Sequence, residues 1–128
     1  MEWECEIPGQ KGSIWEGGSY PLEIRFPAGF PVNPPICIFK PPIPHPNVFS
    51  CGTVCLSILT RDWKPAISLK EILLGIQRLL DEPNPGSVAN HKAYELFAKS
   101  KKKYEETIKE WAKKYSQVPD ESADVIVL

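Results

Sequence analysis

The sequence lacks any apolar run close to the roughly 18 residues that a membrane span requires. Its first ten residues, MEWECEIPGQ, also lack the basic stretch and apolar core of a secretory signal peptide. We therefore expect no membrane association, and we expect the chain to stay inside the cell, where thiols are kept reduced. The four cysteines are then expected to be buried, catalytic or metal-binding rather than joined in disulfides.

A charge excess of either sign is also missing, because 15 basic residues are balanced by 16 acidic ones, a formal net charge of −1. General affinity for nucleic acid needs a basic surplus that replaces the counterions of the phosphates. We therefore expect no nucleic-acid partner. No internal repeat and no Gly/Ser-rich linker divides the 128 residues, a length that suits one domain with its own core.

Proline, in contrast, is abundant, with 14 in the chain and seven of them between positions 31 and 46. Each proline lacks an amide hydrogen and biases the preceding residue away from helix. This stretch therefore predicts a long, stiff loop, and such loops inside compact domains are often functional. Before it, residues 3–7, 20–26 and 36–39 have strand patterns separated by turn-forming stretches, which predicts a three-stranded antiparallel meander.

Helical patterns follow the loop. Ser68 and Glu71 have the spacing of a capping box, and Pro83 ends the run of apolar residues that begins there. A second helical pattern covers residues 91–115, either as one helix or as two with a break near Ser100.

This order of elements predicts an α+β domain, an antiparallel β-meander packed against helices, over residues 1–115. Residues 116–128 are expected to form a mobile tail. The VIVL at the end of the chain is a weaker candidate for addition to a partner's sheet.

The stretch HPNVFSCGTVCLSIL places Cys51 and Cys55 four residues apart, between the proline-rich loop and an apolar run. The local pattern alone favours Cys55 as a buried packing residue, as free cysteines often are. A zinc site formed by Cys51, Cys55 and His45 would lack a fourth ligand at suitable spacing. A cysteine–histidine catalytic pair is the other alternative, although nothing nearby marks His45 or His91 as a base.

Two polar residues of this loop have structural interpretations as well as functional ones. His45, between two prolines, is expected to brace the loop through hydrogen bonds to backbone rather than to transfer protons. Asn47 either bonds nearby backbone or donates to a developing oxyanion.

An ordered set of motifs from Trp3 to about Tyr115 resembles the ubiquitin-like-protein conjugating enzymes. In chain order the motifs are WEC.IPG.KG..WEGG, FP.GFP.NPP, HPN....G.VCLSIL, W.PA and LLDEPNPGS. The resemblance implies the fold of that family, without a counterpart of its first helix and first strand before Met1. It also implies that Cys55 is a nucleophile rather than a packing residue.

The activity implied by the resemblance is acyl transfer in two steps. Cys55 takes the modifier as a thioester from the activating enzyme, and a substrate lysine then attacks that thioester. Asn47 would donate to the oxyanion or hold the loop that does. The implied supporting residues of the active site are His45, Phe49, Asn84 and Ser87. No metal and no cofactor is implied, since ATP is used by the upstream activating enzyme.

The resemblance also implies a set of partners: the modifier (SUMO or ubiquitin), the activating enzyme, ligases and the lysines of substrate proteins. It implies a monomer that works in the nucleus and cytoplasm. Two loops would dock ligases, one formed by Lys40, Pro41 and Pro42 and the other by Lys64, Pro65 and Ala66.

Within the family, the motifs GTVCLSIL and ILLGIQ are similar to the SUMO-conjugating branch. The short spacing from Leu59 to Trp63 and the EWAKKY near the end are similar to the ubiquitin branch instead. Ile36 and Ile38 occupy positions where the SUMO branch has lysines that help to recognise an acidic residue of its substrates. We predict a SUMO-conjugating enzyme, with a ubiquitin-conjugating enzyme or an uncharged modifier-binding scaffold as alternatives.

Overall fold

The computed structural model describes residues 1–116 and 126–127, and its first three strands form the expected meander. These strands are β1 (Glu2–Pro8), β2 (Ser19–Arg25) and β3 (Ile36–Phe39). Each pairs with the next in antiparallel fashion. The predicted α+β class and meander are confirmed, with strand bounds that differ from the expected ones by at most one residue.

A fourth strand lies on the other edge of the sheet. β4 (Ile126–Val127) pairs with β1 in parallel, so the strand order is β3-β2-β1-β4. The expected mobile tail begins at Ser116, and its residues 117–125 and 128 lie outside the described residues.

Between β3 and β4 in the chain, the described residues form three α-helices: α1 (Leu69–Asp81), α2 (His91–Lys99) and α3 (Lys101–Lys114). The Ser68 hydroxyl accepts the N–H of Glu71 at 3.1 Å, which is the serine half of the predicted capping box. The second helical pattern breaks at Ser100, so the two-helix alternative is correct. Within the described residues, none of these helices is long and apolar enough to cross a membrane.

The core lies between the inner face of the meander and the apolar stripes of α1 and α3. Alternate strand residues point into it, as a period of two requires. The largest fully buried core side chains are Trp15, Tyr20, Phe39, Ile7, Leu22, Ile24, Ile72, Ile76, Ile108 and Val48.

A hairpin over residues 47–55 extends the sheet beyond β3. Val48 pairs with Val54 across this hairpin, and Ile38 of β3 pairs with Thr53 of its second arm. Two backbone hydrogen bonds fix that second pairing: Val54 N–H to Cys37 O at 2.9 Å and Phe39 N–H to Gly52 O at 2.8 Å. The proline-rich loop and the cysteine segment are therefore joined directly to the sheet.

Gly52 is required at the turn of this hairpin. Its φ is +98°, and a Cβ there would lie 2.2 Å from the Phe39 carbonyl oxygen, which is backbone and cannot move aside. We expect Gly52→Ala to lower the free energy of unfolding by about 3 kcal/mol or more. The measurement is chemical denaturation followed by tryptophan fluorescence.

Gly12→Ala is the matched control, because Gly12 has a similar φ of +85° and nothing within 4 Å of a built Cβ. It should show the backbone strain alone, about 1 kcal/mol. Equal losses in the two variants would mean that the close approach to Phe39 has no energetic role.

Candidate active site

Cys55 lies at the open end of the 47–55 hairpin. Its backbone N–H donates to Asn47 O at 2.8 Å, and its side chain is only partly buried. The core cysteines are instead Cys5 and Cys37, each 1% exposed, and burial raises the pKa of Cys37 to about 12. The role of buried packing residue, which the local pattern favoured for Cys55, therefore belongs to Cys5 and Cys37 instead.

Cys51 is exposed in the hairpin turn, where its Sγ lies 3.3 Å from the Thr53 hydroxyl. This hydrogen bond lowers the pKa of the Cys51 thiol. Both Cys51 and Cys55 are free thiols in this structure.

His45 is fully buried beneath the site and makes two hydrogen bonds to backbone. Its Nε2 lies 2.8 Å from the Leu79 carbonyl oxygen, and its Nδ1 lies 3.0 Å from the Asn47 N–H. Since the carbonyl can only accept and the N–H can only donate, the proton is on Nε2. Burial lowers the pKa of His45 to about 4, so the ring is neutral at pH 7 and has no free nitrogen for a metal.

Across the described parts of the chain, no three side chains of His, Cys, Asp or Glu come together in a way that could hold a metal ion.

The Asn47 side chain, also fully buried, holds the turn at residues 84–87. Its Nδ2 donates to Asn84 O at 2.8 Å and to Ser87 O at 2.6 Å, and its Oδ1 accepts the Asn84 N–H at 2.8 Å. An amide has two N–H hydrogens, and here both are engaged. Of the two roles that the sequence left open for Asn47, this geometry favours holding the loop.

The Pro46 carbonyl provides a third connection from the same short segment. It accepts the N–H groups of Ala89 and Asn90 at 2.9 and 3.0 Å. The Asn90 side chain in turn caps α2 by accepting the N–H of Ala93 at 3.1 Å. Residues 45–47 therefore fix the end of α1, the 84–87 turn and the start of α2.

The remaining candidate residues flank this arrangement. Phe49 is 44% exposed on the first arm of the hairpin, opposite Thr53. Ser87 is half-buried at the end of the turn, and Asn84 is exposed, with its Oδ1 accepting the Gly86 N–H at 2.9 Å. The structure thus brings Asn84 and Ser87 to Asn47, and Asn47 to Cys55.

The two expected docking loops have different surroundings. Lys64, Pro65 and Ala66 are exposed beside Trp63, whose indole N–H donates to Pro31 O at 3.0 Å. Lys40 instead forms an ion pair with Glu23.

One residue that the structure places near Trp63, Phe30, was not predicted from the sequence as part of the site. The Phe30 ring lies 6.2 Å from the Trp63 ring, and Val32, close by in the chain, is 76% exposed. The sequence offers one indication of this contact: the N–H of a partly buried indole usually finds an acceptor, so Trp63 is expected to pack against another segment of the chain.

Comparison with known proteins gives one family over most of the chain. A family model described as "Ubiquitin-conjugating enzyme" matches residues 1–112. The SUMO-conjugating enzyme UBC9 of Caenorhabditis elegans is 49% identical over 118 residues, which are 91% of this chain and 71% of that protein. The SUMO-conjugating enzyme SCE1 of Arabidopsis thaliana is 48% identical over 117 residues, 90% of this chain and 73% of that protein.

The buried, neutral state of His45 predicts a loss of stability in mild acid. The unfolded chain binds a proton near pH 6.5, but the folded chain does so only near pH 4. The stabilisation that neutral His45 gives to the folded chain is therefore complete above pH 6.5 and declines as the pH falls towards 4. We expect the free energy of unfolding to be about 2 kcal/mol lower at pH 5 than at pH 7.5, as measured by urea denaturation.

His45→Gln cannot titrate and should lack this part of the pH dependence. In the unaltered chain, ring-nitrogen NMR should show the Nε2–H tautomer down to pH 5. A protonated His45 ring at pH 6 would contradict the prediction, even if the variant did not fold.

Proposed function

Because the chain belongs to the ubiquitin-conjugating enzyme family, we propose that it carries SUMO as a thioester on Cys55 and transfers it to lysines of substrate proteins. The observation that carries this proposal is the identity of 48–49% to two SUMO-conjugating enzymes over nine-tenths of the chain. The partly exposed Cys55 beside the held 84–87 turn supports the choice of nucleophile.

The first step places the modifier on Cys55. The thiolate attacks the thioester carbonyl carbon that joins the modifier's C-terminal glycine to the activating enzyme. A new S–C bond forms at Cys55, and the thiolate of the activating enzyme leaves. Partial exposure of Cys55 gives that large partner access, which a core cysteine such as Cys37 would not have.

In the second step a substrate lysine attacks the Cys55 thioester, and the amine must lose a proton whose reference pKa is about 10.4. Neither the 47–55 hairpin nor the 84–87 turn contains a charged residue. We propose that desolvation next to Phe49 and Ser87 favours the neutral amine, because a low-dielectric environment disfavours its charged form. The nitrogen then forms the isopeptide bond as the Cys55 thiolate leaves, and the proton that the nitrogen gives up in this step passes to the thiolate or to water.

Asn47 acts in this scheme as a positioning residue. Its three hydrogen bonds fix the 84–87 turn beside the hairpin that carries Cys55. With both N–H hydrogens engaged in the resting protein, donation to an oxyanion would first require one of these bonds to break. We propose that the amide keeps the turn in place and so shapes the path of the incoming lysine.

Thioester formation tests the proposed function directly. We expect the chain, incubated with the SUMO-activating enzyme, SUMO and ATP, to give an adduct on a non-reducing gel that reductant removes. Cys55→Ser should give an adduct that resists reductant, because an oxyester replaces the thioester. Cys51→Ser is the matched control and should still form the reducible adduct.

Parallel reactions with the ubiquitin-activating enzyme and ubiquitin decide between the branches of the family. Charging with ubiquitin alone would overturn the SUMO assignment. Charging with neither modifier would favour a scaffold that binds a modifier without carrying it.

A second prediction concerns Asn47→Ala, which leaves the carbonyl groups of Asn84 and Ser87 without their donor. We expect normal charging but discharge to free lysine that is slower by about 10- to 100-fold, since a displaced turn misaligns the amine. We also expect the free energy of unfolding to fall by about 3 kcal/mol, roughly 1 kcal/mol for each lost hydrogen bond. Single-turnover gels and denaturation measure the two effects.

Hydrogen exchange of the Asn84 amide separates positioning from oxyanion donation. A positioning role requires Asn47→Ala to speed this exchange. Asn47→Asp retains an acceptor for the Asn84 N–H, so it should protect that amide more than Asn47→Ala does. Slow discharge with unchanged Asn84 exchange and unchanged stability would instead support an oxyanion donor.

A further inference from the structure

The strand register places the β3 side chains next to the nucleophile. Ile38 pairs with Thr53, and the Val54 N–H donates to Cys37 O, so the two segments run antiparallel. Continuing this register by one pair brings Ile36 level with Cys55. Side chains alternate along each segment, and because Cys37 and Val54 point into the core, Ile36 and Cys55 belong to the opposite face.

The next row on this face is apolar except for the hydroxyl of the half-buried Thr53, which lies 3.3 Å from the Cys51 Sγ. It contains Ile38 and Thr53, and Phe49 follows across the hairpin, where its N–H donates to Thr53 O at 2.9 Å. Neighbours across strands have Cβ atoms about 5 Å apart, and successive rows on one face are about 6.6 Å apart. We call Ile36, Ile38 and Phe49 the apolar strip.

Two members of the apolar strip are exposed although they are large and hydrophobic. Ile36 is 48% exposed and Phe49 is 44% exposed, whereas Ile38 is 8% exposed between them. The strip is continuous with the position of Cys55, where any acceptor lysine must arrive. A substrate segment that delivers its lysine to Cys55 therefore has to pass over or beside these side chains.

The charged groups near the strip are already paired with one another. Arg25 lies 3.2 Å from Glu23 and 3.6 Å from Glu2, and Lys40 also pairs with Glu23. Lys40 and Arg25, in that order of effect, lower the pKa of Glu23 to about 2, so these pairs persist at neutral pH. On this face of β2, β3 and the hairpin, both basic side chains are committed to carboxylates of the chain itself.

We propose that the apolar strip selects the acceptor site: a target lysine in an extended segment, with an apolar side chain two residues away. An extended chain repeats its side chains on one face every 6.6 Å or so. A lysine at the Cys55 row therefore places that neighbour over the next row, at Ile38 and Phe49. An acidic neighbour would lose water there without gaining a free cation. This inference rests on the proposed function.

The test uses the Cys55–SUMO thioester in single-turnover discharge to synthetic peptides. The peptides are identical except at the second residue after the lysine, which is Leu, Ser or Glu, and a second set varies the second residue before the lysine. In at least one set we expect Leu to discharge the thioester about five- to tenfold faster than Glu, with Ser between them. Equal rates in both sets, or faster discharge by Glu, would overturn the proposal.

Substitutions at Ile36 test whether the strip causes the preference. Ile36→Lys should reduce or reverse the Leu-to-Glu ratio, and Ile36→Ser should reduce it. Leu74→Ser is the matched control, since Leu74 is exposed to a similar degree, 41%, but lies on α1. It should keep the original ratio, whereas an equal change in the control and in the Ile36 variants would overturn the assignment to this strip.

The ratio between peptides is independent of a general loss of activity in a variant. A chain that SUMO does not charge would overturn the proposed function and this inference together. A chain that is charged normally but does not distinguish Leu from Glu would overturn the inference alone.

Discussion

The buried side-chain amide of Asn47 is the interaction on which the site depends. It joins two segments almost forty residues apart in the chain, the hairpin that carries Cys55 and the turn that follows α1. A buried amide without partners is strongly unfavourable, whereas one with all its partners fixes them in place. Asn47 accepts one backbone N–H and donates to two carbonyls, a combination that neither Asp nor Ala can provide. The segment of residues 82–90 has no regular structure of its own, so this amide and the Pro46 carbonyl determine its path.

His45 fixes the backbone of Asn47 and so helps to direct the Asn47 side chain towards the 84–87 turn. Its ring occupies the space between the hairpin and α1, accepts the Asn47 N–H on one side and donates to Leu79 on the other. Both bonds require the neutral Nε2–H tautomer, and complete burial maintains that state by disfavouring the charged form. Histidine thus serves here as a rigid two-ended spacer rather than as an acid or base. The proton transfer of the proposed reaction must then depend on another feature of the site.

The sequence predicted the fold closely but only part of the site, for physical reasons. Strand alternation and helical spacing report which faces are buried, so the meander and α1 follow from local pattern. The break at Ser100 was ambiguous, because the lysine-rich stretch after it fits both one solvated helix and two helices. The exposure of Cys55 could not be read from VCLSIL, since an apolar run predicts burial whichever face the cysteine occupies. Likewise, the contact of Trp63 with Pro31 spans 32 residues and depends on tertiary packing that periodicity does not encode.

The distribution of charge gives the site its character. From Pro41 to Thr60 the chain has no acidic or basic residue except the neutral, buried His45, although about a quarter of all residues are charged. The nearest cations on the sheet are Arg25, which pairs with Ile36 across β2 and β3, and Lys40. Both are engaged in ion pairs with Glu23, and Arg25 also with Glu2. Cys55 therefore lies between buried polar bonds that fix the 84–87 turn and exposed apolar side chains on β3 and the hairpin. Such a surface removes water from a lysine amine and so makes the amine easier to deprotonate. The same surface favours substrate lysines whose neighbours in the chain are apolar rather than acidic.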